Sequence, residues 1–361
     1  RERWAALVGA AHPEEIVFTS GGTESANLAI KGLAWAGGRR GGHIVGKAAE
    51  HPSVEESLRW LEGRGYRVTR VGMDALGRVD PEAIAGAMRE DTFLVATHLV
   101  QHDIGTVQRV GAIGAIARAS GAAFFCDASW AAGWVKIDAV GMCCDLLSLA
   151  PARFGGPRGI GALYVRRGVV MEPLLHGGVQ EWGMRAGGEN VPAAVGAGRA
   201  AMEAAGDFSQ RVARAGALQE RMIRGLAEAI PAGALNGPEP GDGRVANGLS
   251  FSIACAEAEA VALACDLRGL VIGASTSCVS RSLKLSAALR AIGQPDSLAA
   301  GHLLLGLGRA TTESDVDFAS GVLPKVVERL RGMSASWGEM VAGRGEPSVA
   351  EWLATHGWRR R

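Results

Sequence analysis

The residues that could do chemistry begin with Ser20-Gly21-Gly22-Thr23-Glu24-Ser25. Glycines let a backbone approach closely, and a helix start presents unpaired N–H groups and the positive end of its dipole. Thr23 adds a hydroxyl donor. The segment reads either as an anion cradle or as a helix with an ordinary Ser/Thr cap. Further along stand His51, His102, Asp127 and Cys278, the last within Ser275-Thr276-Ser277-Cys278-Val279-Ser280. Cys278 is either an exposed, partly ionised thiol able to carry sulfur or a small residue left in a Ser-rich loop. Two histidines with no carboxylate or thiolate at fixed spacing make no metal signature, so no metal is expected. Lysine is scarce: Lys31, Lys47, Lys136, Lys284 and Lys325 are the five in the chain.

The elements that position these residues alternate between strand and helix. Strand patterns cover Ile16–Thr19, His43–Val45, Arg67–Val71, Thr92–Thr97, Ala123–Cys126, Asp145–Leu149 and Gly161–Val165. Helical patterns cover Thr23–Trp35, Val54–Arg64, Pro81–Met88 and Val110–Ala119. Alternation at this spacing predicts an α/β domain with a large, mainly parallel sheet over residues 1–205. A long helix at Ser209–Ala229, a strand at Leu249–Ile253, a helix at Glu257–Arg268, a strand near Leu303–Leu307 and a helix at Asp315–Arg331 predict a smaller α+β domain over 206–331. Residues 332–361 form a tail carrying Trp337, Trp352 and Trp358 and ending in three arginines.

Composition narrows the function classes. The chain has 361 residues, 48% hydrophobic and 21% charged, with 38 basic and 37 acidic residues and a formal net charge of +1. No global field favours nucleic acid or an anionic membrane, and no apolar run reaches spanning length. The six cysteines have no CxxC spacing, and reduced thiols in a cytoplasmic protein are the expectation. The opening Arg-Glu-Arg-Trp, without a methionine, is expected to lie inside a longer gene product.

The stretch SGGTESANLAIKG at 20–32 resembles the same stretch of cysteine desulfurases, which are class V, fold-type I pyridoxal-phosphate enzymes. So do Glu50-His51, the segment Asp103-Ile104-Gly105-Thr106-Val107-Gln108, Asp127-Ala128, the run 156–164 (GPRGIGALY), Gly183-Met184-Arg185-Ala186-Gly187, and Leu307-Gly308-Arg309. The resemblance runs in order over about residues 1 to 331 and implies that fold and a subunit pairing. It implies that Thr23 serves the cofactor phosphate, that His51 stacks on the ring, that Asp127 pairs with the pyridine nitrogen and that Cys278 accepts sulfur.

Seven other positions depart from the family pattern. Arg153 stands where the family has its Schiff-base lysine, and a guanidinium has no free lone pair at working pH. Ala150 and Ala152 replace a serine and a histidine, Trp130 a glutamine, His102 an asparagine, Gly188 a phosphate-binding threonine and Leu304 a carboxylate-binding arginine. The expectation is a catalytically impaired member without cofactor, acting in sulfur or iron–sulfur cluster metabolism as scaffold or regulator. It would pair with itself, with an active desulfurase or with a cluster-assembly protein. The alternatives are an active desulfurase holding pyridoxal phosphate at a non-standard site, with Lys136 or Lys284 as substitute amine, and a sulfur relay through Cys278.

Overall fold

The computed structural model describes residues 1–36, 41–274 and 285–358. The chain divides into two compact units. The first comprises Arg1–Met73, Arg78–His102 and Val107–Ser209; the second comprises Asp74–Gly77, Asp103–Thr106 and Gln210–Arg361.

The first unit is built on a seven-stranded sheet. Its strands are β1 (Ile16–Thr19), β2 (His43–Lys47), β3 (Arg67–Val71), β4 (Thr92–His98), β5 (Ala123–Asp127), β6 (Leu146–Leu149) and β7 (Gly161–Val165), in the order β1-β7-β6-β5-β4-β2-β3. Pairings among β2, β3, β4, β5 and β6 are parallel, whereas β6–β7 and β1–β7 are antiparallel. Helices α1 (Glu2–Val8), α2 (Gly22–Asn27), α3 (Leu33–Trp35), α4 (Pro52–Glu62), α5 (Pro81–Ala87), α6 (Val110–Ala119) and α7 (Val191–Gly206) accompany it. This is the architecture of the fold-type I pyridoxal-phosphate transferases. The central strands are buried along their length, with Phe124, Phe125, Leu146, Leu147 and Leu163 fully enclosed. Runs of this kind fit a parallel sheet covered on both faces.

The helical pattern at Thr23–Trp35 is realised in three pieces. A π turn over Leu28–Gly32 joins α2 to α3. Gly32 sits there because a Cβ would lie 2.6 Å from the carbonyl oxygen of Glu172.

The second unit holds a four-stranded sheet. Its strands are β8 (Gly233–Leu235), β9 (Gly248–Ile253), β10 (Gly273–Ala274) and β11 (His302–Gly306), ordered β10-β11-β9-β8 and wholly antiparallel. Helices α8 (Phe208–Ala229), α9 (Ala258–Asp266), α10 (Ala287–Ala291), α11 (Asp296–Ala299), α12 (Glu313–Arg331), α13 (Ala335–Val341) and α14 (Pro347–His356) complete it. Leu226, Phe251, Val261, Leu303, Val316 and Leu323 make its core. Arg244 is buried in this unit and donates to the carbonyls of Pro238 (2.5 Å), Ile104 (3.3 Å) and Asn236. It thereby fastens the excursion Asp103–Thr106 to the small sheet's surroundings. Among the described residues, no helix is long and apolar enough to cross a membrane.

Candidate functional site

In open α/β sheets, ligands meet the carboxyl ends of the parallel strands. In the first unit these ends carry an unusual set of side chains: Lys47 on β2, His98 on β4 and Asp127 on β5. His98 and Asp127 are register partners. All three are buried, as is Glu50 from the turn after β2.

Thr23 lies in the first turn of α2 and is exposed. Gly22 before it, and Gly161 beside Gly21, answer to the protein's own packing. A Cβ on Gly22 would lie 2.6 Å from Ser129 Oγ, and one on Gly161 would lie 2.5 Å from the Gly21 backbone. The close approach expected of these glycines is thus made to the loop after β5 and to β7.

His51 is the N-cap of α4. Its Nδ1 accepts from the Ser53 backbone N–H at 3.2 Å and lies 2.8 Å from Ser53 Oγ. The His51 ring stands edge-on to His102, with centroids 5.0 Å apart. His102 in turn lies 6.4 Å from Trp130. The Arg153 guanidinium covers the Trp130 ring at 3.6 Å from its centroid. Arg153 ends a 3-10 turn, Pro151–Arg153, and its carbonyl accepts from Trp134 Nε1 at 3.2 Å. A continuous ladder, His51–His102–Trp130–Arg153, therefore occupies this side of the strand ends. Such ring and cation contacts are each of order 0.5–2 kcal/mol.

Asp127 Oδ1 accepts from Ser148 Oγ at 2.6 Å and from the Ser129 N–H at 3.0 Å. Ser148 faces it in register across β5 and β6. Of the other predicted positions, Gly188 is exposed, and Leu304 lies on β11 opposite Ser250 and Gly273. Lys136 is exposed. Cys278 and Lys284 lie outside the described residues. Cys126, Cys143, Cys144, Cys255 and Cys265 are free thiols.

The sequence reading missed the buried group of Lys47, Glu50 and His98. Glu50 Oε2 lies 2.7 Å from His98 Nδ1. Lys47 Nζ donates to the Ala48 carbonyl at 2.8 Å and contacts Met73 Sδ at 3.7 Å. Burial pushes the Glu50 carboxyl up to about 7, against the pull of the Lys47 cation. Burial likewise brings the Lys47 amine down to about 8, against the pull of Glu50. His98 is held well below the ordinary histidine value, chiefly by burial and then by Lys47. The available signal was a titratable residue at or just past the end of an apolar run: His98 directly after Thr97, and Lys47 two residues after Val45.

The comparisons with known proteins bear on the family and the fold. The class-V aminotransferase family model matches residues 1–318. A cysteine desulfurase IscS of Methanosarcina thermophila is 42% identical over 334 residues, covering 92% of this chain and 82% of that protein. The chain belongs to the cysteine desulfurase family. Another member, IscS of Vibrio cholerae, is 39% identical over 354 residues, with 98% of this chain and 86% of that one covered. A solved NifS-like protein superposes with a TM-score of 0.84 at 28% identity, over 91% of this chain and 86% of that one.

Proposed function

We propose that this chain serves its family's sulfur and iron–sulfur cluster metabolism as a scaffold or regulatory subunit rather than as a desulfurase. One observation carries the reading: the Arg153 guanidinium sits over the Trp130 ring, at the two positions where the family resemblance puts the Schiff-base lysine and a ring-contacting glutamine. A guanidinium stays protonated and cannot condense with an aldehyde. An indole capped by a cation fills space that a cofactor ring would need. The side chains present therefore do not fit a covalently held pyridoxal ring, and no step is derived through it.

A scaffold needs a face for a partner. Val191, Val195 and Met202 are exposed on α7. At i, i+4 and i+11 they share one side of that helix. Val170, Leu175, Val179 and Trp182, in the segment before α7, are exposed as well. An apolar surface of this kind supports pairing with a second copy or with an active relative.

The reading is tested by incubating the purified chain with cysteine, pyridoxal phosphate and a thiol reductant. Sulfide and alanine are expected at the level of a protein-free control. Sustained turnover, abolished by a substitution in the first unit, would return the chain to the enzymes.

A further inference from the structure

The hydrogen bond between Glu50 and His98 has a property that the family's chemistry does not use. Both side chains are almost wholly enclosed, 4% and 2% exposed, and their contact is short at 2.7 Å. Glu50 Oε1 and His98 Nε2 are enclosed too and have no hydrogen-bond partner among the described residues. A neutral imidazole carries one N–H, and the nitrogen that bears it is set by what the other nitrogen contacts. With Glu50 as carboxylate, Nδ1–H donates to Oε2 and Nε2 keeps its lone pair. With Glu50 as carboxylic acid, the acid proton is donated to Nδ1 and Nε2 must carry the hydrogen.

We propose that Glu50 and His98 form a proton-controlled tautomer switch, in which uptake of one proton converts His98 Nε2 from a hydrogen-bond acceptor to a donor. One solvent proton reaches Nε2, the Nδ1 proton passes to Glu50 Oε2, and the imidazole stays neutral throughout. Enclosure favours this route, because an imidazolium at this depth would be an added buried charge.

The groups facing the pair are Lys47 from β2, His51 at the start of α4, His102 after β4 and Asp127 from β5. Lys47 is the counter-charge: its ammonium favours the carboxylate form and hence the lone pair on Nε2. Asp127 opposes ionisation of Glu50. The titration range of Glu50, near 7, places the change close to neutrality. The turn between β2 and α4 ties the switch to the ladder, since Glu50 directly precedes His51. Ala49 in that turn adopts the left-handed region, φ 57°, and its carbonyl accepts from Gln101 at 3.2 Å. The state of the pair is thus set one residue from the first ring of the ladder.

Ring nitrogen-15 resonances separate protonated from unprotonated imidazole nitrogens. They are to be recorded on the full chain with labelled histidine between pH 5.5 and 9, with His98 identified by its loss in His98→Gln. The expected result is hydrogen on Nδ1 at the alkaline end and on Nε2 at the acid end, with a midpoint near that of Glu50. Glu50→Gln is expected to hold one tautomer over the whole range. Lys47→Met is expected to raise the midpoint by roughly one unit, because the cation that favours the carboxylate is gone. One tautomer throughout in the wild type, conversion to imidazolium, or an unchanged transition in Glu50→Gln would overturn the proposal. If Glu50→Gln does not fold, the direction of the Lys47→Met shift decides, and no shift or a fall is the refuting outcome.

Discussion

Combining Arg153→Lys with Trp130→Gln is expected to create a visible aldimine absorption band with pyridoxal phosphate that the wild-type chain lacks. The reason is chemical before it is structural. Lysine loses its proton within reach of working pH and arginine does not, so only the substituted chain offers a nitrogen lone pair at residue 153. Removing Trp130 matters as much. In the wild type its ring lies under the guanidinium at 3.6 Å and 6.4 Å from His102. Arg153→Lys alone leaves an indole in that space, and Trp130→Gln alone leaves no amine, so each single variant is expected to stay near background. The turn itself should survive, because the bond from Trp134 Nε1 goes to the backbone carbonyl of residue 153. A band of equal strength in the wild-type chain would contradict the argument.

The second large effect concerns the small unit. Arg331, the last residue of α12, is 3% exposed and donates to the Ala254 carbonyl at 2.8 and 3.0 Å, to Pro231 at 2.8 Å and to Ala232 at 3.4 Å. Burial lowers this guanidinium to about 10. The carbonyls it holds flank two residues in the left-handed region, Ala232 at φ 53° and Cys255 at φ 60°. Left-handed alanine and cysteine are disfavoured by roughly 1–2 kcal/mol each, so these turns need fixing from outside. Arg331→Ala would take the donor from the Ala254 and Pro231 carbonyls, while that of Ala232 keeps the Ala254 N–H, and is expected to destabilise the small unit by about 3 kcal/mol. Calorimetry should then show a melting transition lowered by roughly 6–12 °C. Arg331→Lys keeps the charge but not the planar fork, and should recover only part of the loss. A change of only a degree or two in Arg331→Ala would show that water replaces the fork without penalty.

Much of the fold was legible because its strands are apolar or alternating runs bounded by turn residues. β1, β3, β7 and α6 fall where their patterns place them. Helix α7 was not anticipated. It is rich in alanine and glycine, and its buried face of Ala193, Ala197, Ala200, Ala201 and Ala204 carries little contrast with the rest. Small residues let helices approach closely but give the 3.6-residue period almost no amplitude. β8 and β10 are three and two residues long, too short for any alternation to register.

The same bias hid the most unusual chemistry. Three strand patterns were ended at their last apolar or hydroxyl residue, at Val45, Thr97 and Cys126. The strands continue to Lys47, His98 and Asp127. A titratable side chain normally marks the exit from a sheet, but at the carboxyl ends of parallel strands it can be enclosed by its neighbours. Asp127 was given a role only through the family resemblance, and no such resemblance pointed to Lys47 or His98. The ladder was visible in part: His51, His102, Trp130 and Arg153 had each been singled out. Their mutual stacking depends on side-chain directions that residue spacing does not encode.

The central claim is that the pocket of this desulfurase relative no longer holds its ring through a covalent bond. It is tested most directly by incubating the wild-type chain with pyridoxal phosphate, reducing with borohydride and measuring the intact mass. The account predicts no stoichiometric gain over a cofactor-free control. One reduced pyridoxyl group per chain, mapped to a single side chain of the first unit, would contradict it.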